Sequence, residues 1–69
     1  MKITEKNRDL VKAFMRIMLH IGVSGEATEM MTSMLKNETQ MDDLVSFTEK
    51  NPEATEAEIL MKAQEIAGL

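Results

Sequence analysis

The chain has 69 residues, a net charge of −4, eight methionines, two phenylalanines, and no cysteine, tryptophan or tyrosine. A length like this makes one domain at most, which buries only about 60% of the surface its unfolded chain exposes. The lack of cysteine excludes disulfides and thiolate metal sites and makes the reducing cytoplasm the default compartment. With so little aromatic area, burial has to come from Leu, Ile and Met, or from a second copy of the chain.

The first predicted helix covers residues 5–21, with Thr4 as its N-cap and Glu5 in the first turn, where the helix dipole favours a negative charge. At helical spacing Leu10, Phe14, Ile17 and Ile21 share one side, which Val11, Met15, Met18 and Leu19 widen. Asp9, Lys12, Arg16 and His20 make the narrow polar strip opposite. A helix apolar over most of its circumference is expected at the centre of a bundle. It is not a membrane span, because Lys12 and Arg16 interrupt an apolar run that is already well short of about 18 residues. It also lacks the unbroken apolar region and small-residue cleavage site of a secretory signal.

Gly22 is expected to end this helix in a left-handed conformation, and Ser24 to cap the second, residues 25–36. Ala27, Met30, Met31, Met34 and Leu35 would be its inward face, and Asn37 its end. A variant capping box, Thr39 with Asp42, opens a third helix over residues 40–50, with Met41, Leu44, Val45 and Phe47 turned inward and Asn51-Pro52 as its stop. The fourth, residues 56–67, carries a full capping box in Thr55 and Glu58, with Ala54 placed to pack on Ile59 and Gly68 as its end. No strand-like alternation, linker or repeat is present. The expected fold class is therefore all-α: one compact four-helix domain over residues 1–69, its long first helix packed by three shorter ones through short loops that put successive helices in contact.

Charge is distributed unevenly. Up to Arg16 there are five basic side chains (Lys2, Lys6, Arg8, Lys12, Arg16) against two acids, a balance of +3; from Ile17 onward three basic residues face ten acids, a balance of −7. This pattern points to a basic strip lying beside acidic helices, in the same chain or in a partner copy. A basic amphipathic helix addressed to an anionic membrane is disfavoured, because its apolar face would be lost to the core.

Catalytic chemistry has little to work with. His20 is the only histidine, and Ser24, Ser33 and Ser46 sit in no nucleophile motif. Asp42-Asp43 and Glu56/Glu58 lack the alternating acidic loop with a central glycine that calcium requires. No catalytic residue, cofactor or metal ligand is assigned, and the chain reads as no enzyme.

The segment LVSFTEKNPEATEAEIL, residues 44–60, resembles in its rhythm the first two helices of a helix-turn-helix or winged-helix domain. The resemblance implies a nucleic-acid-binding regulator with a recognition helix to follow, whereas this sequence stops at Gly68-Leu69. Placing recognition on residues 41–49 instead would turn Asp42, Asp43 and Glu49 toward phosphates, whose neutralisation needs Lys and Arg. Methionine is the compositional anomaly. More Met side chains compete for the interior than so small a domain can take, so some apolar surface is expected to stay exposed and mark an interaction site. The function expected from sequence is a protein-protein interaction or regulatory module that self-associates as a homodimer through its first and second helices, with Lys12, Met15, Arg16, Met30, Met31 and Met34 as interaction residues. A helix-turn-helix-like regulator is the alternative.

Overall fold

Three of the four helices in this chain begin where a side chain accepts an otherwise unpaired backbone N–H. In the computed structural model, which describes residues Met1–Leu69, there are four helices and no strand: α1 (Arg8–His20), α2 (Gly25–Met34), α3 (Glu38–Lys50) and α4 (Glu56–Ala67). Ser24 accepts from the Ala27 N–H at 3.1 Å to start α2, and Asn37 accepts from the Gln40 N–H at 2.9 Å to start α3. At α4 the bond is reciprocal: Thr55 Oγ1 accepts from the Glu58 N–H at 3.2 Å and Glu58 Oε1 from the Thr55 N–H at 2.9 Å. Two helices stop by the same device. Gly22 and Gly68 take positive φ, and the Gly22 and Val23 N–H groups fold back onto the carbonyls of Leu19 and Met18. Gly68 and Leu69 do the same to Glu65 and Gln64.

Several boundaries differ from expectation. α1 has 13 residues, as many as α3, so the long first helix is not there. Its start is delayed because the Asn7 side chain serves the preceding turn, accepting the Thr4 N–H at 2.7 Å and donating to the Lys2 carbonyl at 3.0 Å. The leading segment is drawn across to α2, where the Met1 ammonium donates to the Thr32 and Ser33 carbonyls at 2.6 and 3.0 Å. That places a positive charge at the negative end of the α2 dipole. Asn37, expected to close α2, caps α3 instead, and the Thr39–Asp42 box is not used.

The helices form a ring. α1 packs on α2 and α3, and α4 packs on α2 and α3, so α1 is one wall and not a central strut. Leu35 to Asn37 turns a corner and leaves α2 and α3 without a substantial shared face. The Ser24 N–H donates to Glu56 Oε1 at 2.7 Å, and Lys36 Nζ donates to the Ala67 carbonyl at 2.8 Å. These ties join like ends of α2 and α4, so the two run in the same direction. At the centre Met18, Met31, Leu35, Leu44 and Ala63 are fully buried, with Val11, Phe14, Met41 and Ile59 around them.

The inner face of α2 is turned relative to expectation: Thr28 and Thr32 are buried beside Ala27 and Met31, while Met30 is 49% exposed. Threonine can do this because its hydroxyl bonds back along the helix, Thr28 to the Ser24 carbonyl and Thr32 to the Thr28 carbonyl, both at 2.8 Å. The Thr48 hydroxyl likewise donates to the Val45 carbonyl at 2.7 Å, and no buried side-chain polar atom is left without a partner.

Candidate functional site

α1 carries more apolar surface than one wall of a ring can bury. Val11, Phe14 and Met18 face the core. On the flank toward α3, Leu10 is half-buried and Ala13, Ile17 and Ile21 are exposed, Ile17 to 38% and Ile21 to 44%. The seam between α1 and α3 is the most sparsely packed of the four. An apolar groove of about 100 Å³ opens along it, lined by Leu10, Ala13, Phe14, Ile17, Met41, Asp42 and Val45. At the far end Ile21 lies beside Thr48 and Glu49 in a second depression. Leu10 to Ile17 thus run alongside Met41 to Val45, and Ile21 alongside Thr48, so α1 and α3 point the same way.

The groove is too small for a metabolite, whose sites typically hold about 300–1,000 Å³. It is the right size for side chains of another helix. The largest concavity, about 510 Å³, is lined mostly by polar and exposed residues around the α3–α4 loop, including Lys50, Asn51, Glu53 and Glu58. Beside it Lys62 Nζ stands 5.5 Å from the centre of the Phe47 ring and 3.3 Å from Glu65 Oε1.

The residues singled out from sequence do not form one surface. Lys12 and Arg16 are exposed one turn apart on the outer strip of α1. Met15 is half-buried on the opposite flank, lining a depression with Ile3, Glu29, Thr32 and Ser33. Met31 is wholly buried and is a core residue, Met34 is half-buried, and Met30 is exposed. The exposed flank residues Ala13, Ile17 and Ile21, with Val45, Asp42 and Glu49 across the groove, were not singled out. The available signal was that α1 is apolar round more than half its circumference, more than two neighbours can cover.

His20, Ser24, Ser33 and Ser46 are all exposed, and no three His, Asp or Glu side chains converge as a metal-ion cluster. The Thr55 backbone N–H, and then the Thr55 hydroxyl, hold the Glu58 carboxyl below its ordinary value. No helix is long and apolar enough to cross a membrane. No known protein family matches the chain, and no curated protein or solved structure is significantly similar to it.

Proposed function

We propose that the protein is a small acidic interaction module that works by self-association, pairing copies through the open flank of α1. The observation that supports this is the row Leu10, Ala13, Ile17 and Ile21, which the other three helices leave partly uncovered. A chain this short gains stability when a second copy covers such a row, and that stability then rises with concentration. Pairing also presents the acidic faces of the remaining helices in duplicate, so a repeated partner is held more tightly than by one copy. The helix-turn-helix alternative gains nothing from the charges of α3 and α4, where Lys50 and Lys62 are the only cations and Lys62 is already engaged with Glu65.

Sedimentation equilibrium from micromolar to millimolar concentration tests the reading. The expected result is a mass rising from the 7.8 kDa of one chain toward twice that value. A mass constant at 7.8 kDa throughout contradicts it.

A further inference from the structure

The groove between α1 and α3 has one cationic edge and one acidic edge. Round α1, at about 100° per residue, the apolar row is followed on its outer side by His20, Asp9 and Arg16, with Lys12 beyond; with His20 neutral, the two cations outweigh the one acid. Round α3, Val45 is followed by Asp42 and Glu49, with Glu38 on the same side. All of these charged residues are exposed. The only salt bridge in the chain joins Lys62 to Glu65, so neither edge is neutralised within one molecule.

A two-fold partner can lie on this groove in two ways. An axis running across the groove sets α1 on α1 of the second copy, head to tail, and brings cationic edge to cationic edge. An axis running along the groove sets α1 over α3 of the second copy, with cationic edge over acidic edge on both sides. Because α1 and α3 run in the same direction, this second arrangement also keeps heights in register. Ile17 then faces Val45 of the other copy, and Arg16 sits between its Asp42 and Glu49. Like charges brought together cost affinity, whereas opposite potentials favour and orient the encounter.

Resting on the self-association reading above, we infer that the occupant of the groove is a second copy of this chain, docked with α1 over α3 about an axis along the groove. The interface is isologous, so it closes at two copies and forms no filament.

The test uses exposed positions that leave the core untouched: Arg16→Glu, the pair Asp42→Lys with Glu49→Lys, and Ala13→Lys, each compared with the parent by sedimentation equilibrium and circular dichroism. Each charge variant alone weakens dimerisation by about a hundredfold, since reversing a contact costs about tenfold and the symmetry repeats it. Mixed in equal amounts, the two charge variants form a heterodimer of about parental affinity, because both contacts again join opposite charges. Ala13→Lys weakens association with helicity unchanged. Failure of the mixture to associate overturns the α1-over-α3 arrangement, as does preferential pairing of Arg16→Glu with the parent, which would place α1 on α1. A parent dimer weakened by Ala13→Lys but indifferent to both charge variants overturns this inference alone, whereas one indifferent to all three moves the interface off the open flank of α1 and overturns that part of the reading above with it. A monomeric parent overturns the self-association reading as well.

Discussion

The Glu58 carboxylate accepts the Thr55 N–H at the first turn of α4, and the charged form is what that bond favours. Its lowered titration has a definite sign for stability. The contribution is complete at pH above the ordinary carboxylate value of 4.5 and is lost as the pH falls through the lowered folded-state value. In urea titrations across this range, the parent is expected to be more stable than Glu58→Gln near neutrality, with the difference closing on acidification. An equal difference at all pH values would remove the carboxylate's charge from the explanation. The other half of the box is worth more directly: Thr55→Ala is expected to cost about 1 kcal/mol and to lower the melting temperature by about 4–8 °C in a domain of this size. This box was legible from sequence because its partners are three residues apart and nothing distant competes. Asn37 and Thr39 are both competent caps, so the start of α3 was not. Asparagine is the stronger of the two, and there Gln40 also accepts the Lys36 N–H at 2.7 Å.

For a whole helix, periodicity finds the apolar arc but not which part of it faces a neighbour. The four helices, Gly22, Gly68 and the Pro52 stop were readable for that reason, while the inner faces of α1 and α2 were not. On α1 the core takes Val11, Phe14 and Met18 and leaves the row from Leu10 to Ile21 at the groove. On α2, two threonines that count as polar in any pattern are buried, because backbone carbonyls satisfy their hydroxyls and leave the methyl groups to pack. The three methionines of that helix are therefore unequal. Met31→Ala is expected to destabilise by about 2–5 kcal/mol, a large share of the roughly 3–10 kcal/mol available to a chain of this length. Met30→Ala is expected to stay within about 0.5 kcal/mol of the parent. Urea unfolding of the two variants decides it, and equal losses would contradict the orientation of α2.

At the scale of the molecule, the ring is held by ties between ends as well as by its core. The Met1 ammonium supplies α2 with the C-terminal cation its own last turn lacks, and Lys36 does the same for α4. None of these long-range ties has a local signature, which is why a central α1 was expected where a ring exists. The accessible surface, 4695 Å², is slightly above the roughly 4,400 Å² typical of a monomer of this mass. Small size is thus not offset by unusually complete burial, and the uncovered surface includes one flank of α1 whose cations have no partner in the same chain. The central claim is that this flank meets α3 of a second copy. The most direct measurement is an isotope-filtered nuclear Overhauser experiment on a mixture of labelled and unlabelled protein, which records only contacts between copies. The account predicts cross-peaks from the methyl groups of Ile17 to those of Val45. Intermolecular cross-peaks confined to Met30 or Met61, or none at concentrations up to millimolar, would contradict it.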